Sequence, residues 1–214
     1  MDTTIANISV TLMPQKAIWV KSEQAVIIAD VHLGKIEHFR SEGIGLPIQA
    51  TKNRLACIEE LIEQTKAQKI IFLGDLFHSK KNSSFESLKS LIEKYDTVTF
   101  ILVKGNHDIM PDHSYMDLDL VLVDEYIMRP LWLTHEPQAE PRSGLYNLAG
   151  HIHPAVRLKG LGRQSLSLPC FYFGPNFGLL PAFGYFTGKS VVKIEKKSTI
   201  FAVAENQIFD IKST

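Results

Sequence analysis

Five short clusters of aspartate, histidine and asparagine residues lie between residues 30 and 153. They are Asp30-Val31-His32, Gly74-Asp75, Gly105-Asn106-His107-Asp108, Thr134-His135 and Gly150-His151-Ile152-His153. Carboxylate, imidazole and amide groups of this kind bind Mn²⁺, Fe and Zn²⁺. Five of the eight histidines of the chain fall within these clusters. Together the five clusters predict a metal centre.

Each cluster taken alone has a simpler explanation. A single Asp-x-His pair is usually a surface pair, and Gly-Asp after a strand is usually only a turn. Gly-Asn-His-Asp and Gly-His-x-His are more specific, because they concentrate metal-binding side chains after a glycine. On an extended chain, Asp30 and His32 would point the same way and could bind one ion. His151 and His153 could do the same, unless a turn directs them to two ions.

Each cluster also follows a predicted strand. Buried apolar strands are predicted at Ala25–Ala29, Lys69–Leu73 and Val98–Val103. They alternate with amphipathic helices predicted from Pro47 to Thr65 and from Ser84 to Tyr95. This order predicts a parallel sheet with right-handed crossovers. Ligands of such sheets bind beyond the carboxyl ends of the strands, where the clusters stand.

The second half of the chain contains short strands and no predicted long helix. Its hairpin-like spacing predicts antiparallel pairing. These strands are expected at Leu120–Val123, Leu131–Thr134, Cys170–Phe173, Val191–Ile194 and Thr199–Val203. The predicted fold class is therefore α/β, with two sheets packed face to face and helices outside. Residues 1–214 are expected to form a single domain.

Composition indicates an ordinary globular protein, with 45% hydrophobic and 21% charged residues. The net charge is zero, so the overall charge favours neither a nucleic acid nor a membrane, and only a local basic patch stays open. No apolar run approaches the roughly 20 residues that span a bilayer. The N-terminus shows no secretory signal. A soluble, cytoplasmic protein without a membrane partner is expected.

The order of the five clusters resembles that of the calcineurin-like metallophosphoesterase superfamily. Three stretches more closely resemble the ligase-associated, PdeM-type phosphoesterases of bacteria, which are known as DNA damage response endonucleases. These stretches are Ile28–Lys35, Gly74–His78 and Leu148–Pro154. The resemblance implies a four-layer αββα double β-sandwich and a hydrolase acting on phosphoric esters. It also implies two divalent metal ions, with Mn expected ahead of Fe or Zn.

The resemblance further implies a role for each residue of the clusters. Asp30, His32 and His153 would bind the first metal, and Asp75 would bridge both ions. Asn106, His135 and His151 would bind the second metal. His107 would act on the phosphate, and Asp108 would orient His107 by hydrogen bonding. The sequence departs from the family at Glu136, because many members have glycine after the histidine equivalent to His135.

Lys35, Arg40 and His78 are candidates for substrate binding, because cations can meet phosphates. The alternative is a solvated helix or loop surface. The expected substrate is a DNA phosphodiester, cleaved by an endonuclease in DNA repair. Cyclic nucleotides, nucleotides or a lipid-sugar precursor are the alternative substrates, and a non-catalytic metal-site scaffold is a third hypothesis. An ATP-dependent DNA ligase and a helicase are partners implied by resemblance alone. The oligomeric state stays open, a homodimer included.

Overall fold

The computed structural model describes residues 1–45, 49–78, 83–160, 164–184 and 187–211. Its helices are α1 (Lys35–Ser41), α2 (Gln49–Thr65), α3 (Ser83–Lys94) and α4 (Asp112–Met116). Its strands are β1 (Asp2–Ile5), β2 (Ile8–Met13), β3 (Ala17–Val20), β4 (Ala25–Ala29), β5 (Lys69–Leu73), β6 (Thr99–Val103), β7 (Val121–Val123), β8 (Tyr126–Met128), β9 (Leu131–Thr134), β10 (Tyr146–Ala149), β11 (Pro154–Lys159), β12 (Ser165–Phe173), β13 (Phe177–Leu179), β14 (Ser190–Val191), β15 (Thr199–Ala204) and β16 (Gln207–Ile211). Pro47, the predicted start of the second helix, lies outside the described residues.

The first sheet has seven strands in the order β1 to β7. Strands β4, β5, β6 and β7 are parallel, which confirms the predicted strand–helix–strand pattern. Strands β1, β2 and β3 extend the sheet by antiparallel pairing, and the sequence pattern did not predict them. All five residues of β4 are buried, because both faces of the sheet are covered.

The two faces of the first sheet belong to different hydrophobic clusters. On one face, Ile28 and Phe72 pack in a cluster with Ile58 of α2 and Leu88 of α3. On the other face, residues of the same strands share a cluster with the second sheet, including Ile27, Ile71, Leu133, Leu148 and Phe171. Because the residues alternate between these clusters, a β-sandwich with helices outside is confirmed.

The second sheet has nine strands and mixes parallel with antiparallel pairs. Antiparallel pairing is present at β11–β12 and β15–β16. It was wrongly predicted for the region as a whole, because β10 is parallel to both β9 and β13. The segment from His135 to Leu145 is long enough to cross over and does not form a hairpin. Consequently β9 and β10 end at the same edge of the sheet. The predicted strand at 191–194 is reduced to β14.

In the part of the chain that the structure describes, α4 is the last helix along the sequence. None of the helices there has both the length and the apolar character required to cross a bilayer.

Candidate active site

The five clusters meet where the carboxyl ends of β4, β5, β6, β9 and β10 come together. The backbone N–H of Asp30 donates to Gly74 O (3.3 Å), which joins the ends of β4 and β5. The N–H of Gly150 donates to His135 O (3.0 Å), which joins the ends of β10 and β9. The two sheets are linked by the N–H of His151, which donates to both carboxylate oxygens of Asp30 at 3.1 and 2.9 Å.

Asp30, His32 and His153 form the first candidate ligand cluster. One ligand atom of each residue lies within 4.8 Å of the others. His153 Nε2 lies 3.5 Å from Asp30 Oδ1, and the Asp30 carboxylate has no solvent exposure. His153 Nδ1 lies 3.2 Å from Gly188 O. A proton on Nδ1 can therefore be donated to this carbonyl, which leaves the Nε2 lone pair directed at Asp30 and available to a metal.

Asp75, His135 and His151 form the second cluster, and one ligand atom of each again lies within 4.8 Å of the others. Asn106 Oδ1 joins them, at 2.9 Å from His135 Nε2 and 3.1 Å from His151 Nδ1. His135 Nδ1 lies 3.0 Å from Leu73 O, so the tautomer that donates this bond leaves Nε2 free to bind a metal. The clusters therefore contain all seven predicted ligands. The carbonyls of Leu73 and Gly188 were not predicted, because every residue has a backbone carbonyl.

Asp75 lies between the two clusters. Its Oδ2 is 3.8 Å from His32 Nε2 of the first cluster. Its Oδ1 is 3.4 Å from His135 Nε2 of the second cluster. One carboxylate thus offers a different oxygen to each side, which is the arrangement that a ligand shared by two ions requires.

Several buried nitrogens at the site have no hydrogen-bond partner among the described residues. They include both ring nitrogens of His32 and Nε2 of His153. Burial, reinforced by Lys35 and neighbouring histidines, lowers the pKa of His32 to about 2. His32 is therefore neutral, which is the form that binds metals. An unpaired buried polar atom costs about 1–3 kcal/mol. A metal bound by these nitrogens would remove that cost, so the donor set fits divalent cations.

The backbone is left-handed at five of the seven predicted ligands. The φ angles are 54° at Asp30, 50° at His32, 51° at Asp75, 63° at His151 and 51° at His153. Such angles are uncommon outside glycine and concentrate at functional sites. The expectation that Asp30 and His32 share a direction because the chain is extended is therefore wrong, since a tight turn brings them together. Similar turns direct His151 and His153 to different clusters.

Gly150 allows the two sheets to approach at the site. A Cβ atom at this position would lie 2.7 Å from Asp30 Oδ2 and 2.9 Å from the Ala29 side chain. A larger residue would therefore displace Asp30 or the turn that carries His151 and His153.

His107 is exposed, and its backbone N–H donates to Asp75 Oδ1 (2.9 Å). Its ring centroid lies 5.7 Å from that of His32, so the imidazole is adjacent to the first cluster but is not one of its ligands. This position agrees with a group that acts on a bound phosphate.

Asp108 does not orient the His107 ring as predicted. Its Oδ1 accepts from the N–H groups of Leu76 (3.0 Å) and Phe77 (3.3 Å), and its Oδ2 accepts from that of Gly105 (2.9 Å). Within the described residues, none of its hydrogen bonds goes to His107. Instead, the buried carboxylate ties the loop after β6 to the loop after β5. Burial outweighs these hydrogen bonds and raises the pKa of Asp108 to about 6.

The three candidates for substrate binding differ in position. His78 stacks on His107 with ring centroids 5.7 Å apart, and lies 5.8 Å from His32. Burial, with Lys35 and other histidines, lowers the pKa of His78 and favours its neutral form. Burial also lowers the pKa of Lys35, against the attraction of the Asp75 carboxylate. Arg40 is exposed in the last turn of α1. Lys35 and His78 thus adjoin the clusters.

Comparison with known proteins identifies the family of the chain. The model of the calcineurin-like phosphoesterase family matches residues 24–204, so the chain belongs to this family. It is a hydrolase acting on phosphoric esters, in a family that uses divalent metals.

Among solved structures, the nuclease MPE of Pseudomonas putida is 27% identical, with a TM-score of 0.82 over 99% of each chain. The phosphoesterase Yfce of E. coli is 15% identical, with a TM-score of 0.46, and the match covers 87% of this chain and 97% of that one. No curated protein sequence matches the chain.

Proposed function

We propose that this protein is a dinuclear-metal phosphodiesterase that cleaves DNA internally, as an endonuclease in DNA repair. The observation that carries the proposal is the position of Asp75, with one carboxylate oxygen at 3.8 Å from His32 and the other at 3.4 Å from His135. Asp30, His32 and His153 would hold one ion, and His135, His151 and Asn106 the other.

Two divalent ions bound there would polarise the phosphoryl oxygens and lower the pKa of water. We propose Mn²⁺ as the native metal, since carboxylate, amide and imidazole ligands together suit it, while Fe and Zn²⁺ share these preferences. The neutral His32 presents an imidazole lone pair without the loss of a proton. The carbonyls beside Nδ1 of His135 and His153 favour the tautomer whose Nε2 faces the ligand clusters.

The chain supplies a proton donor in His107. Its exposed imidazole can hydrogen-bond to a phosphoryl oxygen or protonate the leaving oxygen. The backbone N–H group of His107 is bonded to Asp75, so the backbone that carries the ring is fixed relative to both clusters. Asp108 is a positioning residue, because it bonds the backbone of both loops. Lys35 and His78 would contact the remaining phosphate oxygens, and Arg40 would attract a phosphate from the surface of α1.

The choice of DNA is supported by the similarity to a nuclease along the whole chain at 27% identity. A small phosphodiester or monoester is the alternative substrate, and it is favoured by the net charge of zero. A cytoplasmic location and association with an ATP-dependent DNA ligase and a helicase belong to the same proposal, as does a homodimer. A non-catalytic scaffold is disfavoured by the complete ligand set and His107.

The test is Mn²⁺-dependent cleavage of circular single-stranded DNA, because a circle has no ends and only internal cleavage can convert it to a linear strand. The parent protein should cleave it, and Asp75→Asn should lose most activity. The control is Asp96→Asn, an exposed aspartate before β6 at the opposite edge of the sheet. It should match the parent. Hydrolysis of bis(4-nitrophenyl) phosphate without cleavage of the circle would transfer the proposal to a small substrate.

His107→Ala provides a second comparison. It should bind Mn²⁺ like the parent, because His107 belongs to neither ligand cluster, but hydrolyse bis(4-nitrophenyl) phosphate about 100-fold or more slowly. Unchanged turnover would remove His107 from the proposed chemistry.

A further inference from the structure

A small basic crevice adjoins the first ligand cluster. Its volume is about 210 Å³, and it is lined by Lys16, Thr187 and Lys189 together with His153. Among the described residues that line it, none carries a carboxylate. The crevice therefore offers cations and a hydroxyl beside a proposed metal ligand.

The segment that carries Lys189 is tied to His153 on both sides of the lysine. Gly188 O lies 3.2 Å from His153 Nδ1, and the N–H of Ser190 donates to His153 O (3.0 Å). Ser190 also pairs in register with Pro154, the residue after His153. The backbone at Lys189 is consequently held at a fixed place relative to the first cluster. Its Nζ donates to Ser167 O (3.2 Å), and the other two donors of the ammonium group can bond a ligand.

Lys16 lies on the other side of the crevice, in the turn between β2 and β3. Its Nζ donates to Ala182 O (2.9 Å). Two residues further, the N–H of Gly184 donates to Asp30 O (3.0 Å). The ammonium group has three donors, so it can bond a ligand as well as Ala182. Burial, followed by the charges of Arg54 and Lys189, lowers the pKa of Lys16 to about 8. An anion in the crevice would relieve this repulsion.

A larger cavity of about 1030 Å³ is also lined by Lys16, but its character is different. Glu60 and Glu205 line it as well, and their carboxylates would repel an anion. The smaller crevice is therefore the better place for a phosphate.

We propose that the Lys16–Lys189 crevice binds a non-scissile phosphate of the substrate strand, next to the phosphodiester at the metal clusters. This inference rests on the proposed function. Lysine ammonium groups bind phosphates as point charges, and the position beside His153 places the site along a strand that leaves the first cluster. Such a contact would favour polynucleotides over small phosphodiesters and would compensate locally for a net charge of zero.

Lys189→Gln is the variant that tests the crevice, because Lys189 is exposed. Its loss removes one exposed hydrogen bond, from Nζ to Ser167 O, and leaves the Lys16–Ala182 bond intact. The assay is inhibition of bis(4-nitrophenyl) phosphate hydrolysis by oligodeoxythymidylate in the metal-loaded protein, which measures strand binding whether or not the strand is cleaved. Lys197→Gln is the control, since Lys197 is an exposed lysine of the same region outside the crevice.

Lys189→Gln should raise the inhibition constant about three- to tenfold at low salt and reduce its logarithmic salt slope by about 0.7, the effect of one phosphate contact. Lys197→Gln should match the parent. Equal inhibition constants for the parent and Lys189→Gln would overturn the proposal that the crevice binds the strand, and would not contradict the proposed DNA cleavage. A parent that is neither inhibited by the strand nor able to cleave it would overturn both proposals. If Lys189→Gln lost bis(4-nitrophenyl) phosphate turnover and strand binding equally, the proposal for the crevice would also be overturned, because this result indicates damage at His153.

Discussion

Gly74→Ala should damage the second ligand cluster specifically. A Cβ atom at Gly74 would overlap His135 Nδ1, lie 2.5 Å from His135 Cγ and lie 2.8 Å from Gly105 Cα. The Gly105 backbone cannot move freely, so the His135 ring must shift. This shift would break the contact between His135 Nδ1 and Leu73 O. The φ angle of Gly74 is also +72°, which alanine adopts with strain.

The free energy of unfolding lost in Gly74→Ala can be divided into two parts by comparison with a matched glycine. Gly144 has almost the same φ angle, +71°, but no atom would lie within 4 Å of its added Cβ. Gly144→Ala should therefore cost only the left-handed strain, about 1–2 kcal/mol. Gly74→Ala should add about 1–3 kcal/mol for overpacking, giving about 2–5 kcal/mol in total. Because His135 loses its orienting carbonyl, Mn²⁺ affinity should fall about 10- to 100-fold in Gly74→Ala only.

Urea unfolding of the metal-free proteins would measure the loss of stability, and calorimetric titration with Mn²⁺ would measure the metal affinity. The reasoning would be refuted if the two alanine variants lost the same free energy of unfolding and kept the same Mn²⁺ affinity. That result would mean that the His135 ring is not confined between Leu73 and Gly105.

Three further predictions concern metal removal and buried titratable groups. Chelating metal that had been present at 100 times its dissociation constant should remove about 2.7 kcal/mol of stability for each bound ion and lower Tm by about 5–11 °C for each. Asp75→Asn should show a smaller shift in a thermal melt, and an equal shift would place the metal elsewhere. Because Asp108 keeps its proton to about pH 6 in the folded state, raising the pH from about 4 to 6 should lower the free energy of unfolding of the metal-free protein by about 2 kcal/mol, since only the unfolded chain releases that proton readily. Asp108→Asn should lack this dependence, so parallel urea-unfolding profiles would contradict the assignment. Burial raises the pKa of Cys170 to about 12, so this thiol should resist 5,5′-dithiobis(2-nitrobenzoate) at pH 8 until the protein is unfolded, and rapid labelling of native Cys57→Ser would show otherwise.

Local sequence patterns were sufficient to predict the main strands of the first sheet and the residues that follow them. Continuous apolar runs such as Ala25–Ala29 indicate burial on both faces, and polar clusters after such runs indicate strand ends. The site residues were therefore available from the sequence as a set. The strands β1, β2 and β3 were not predicted, although the alternation of Ile8, Val10 and Leu12 with polar residues in β2 is a signal that could have revealed one of them.

The resemblance supplied the expected ligand groups, while the contacts between them depend on the packing of the sheets. Asp30 meets the His151 N–H across 121 residues, a contact that no local pattern specifies. Asp108 illustrates the limit, because the resemblance implied a hydrogen bond to His107, whereas its oxygens accept from the N–H groups of Leu76, Phe77 and Gly105.

The sequence by itself determined which side chains could bind metal and that they follow strands, because residue type and hydrophobic periodicity are local properties. Only the tertiary structure decided how those side chains are divided between two clusters, with Asp75 in the middle. The division follows from the left-handed turns at the strand ends and from the parallel β9–β10 crossover, which brings His135 and His151 to one edge. The tertiary structure also places Lys16 and Lys189, which are distant in the chain, beside His153. Such proximity depends on the direction of each crossover and on the packing of two sheets, which are properties of the folded chain as a whole.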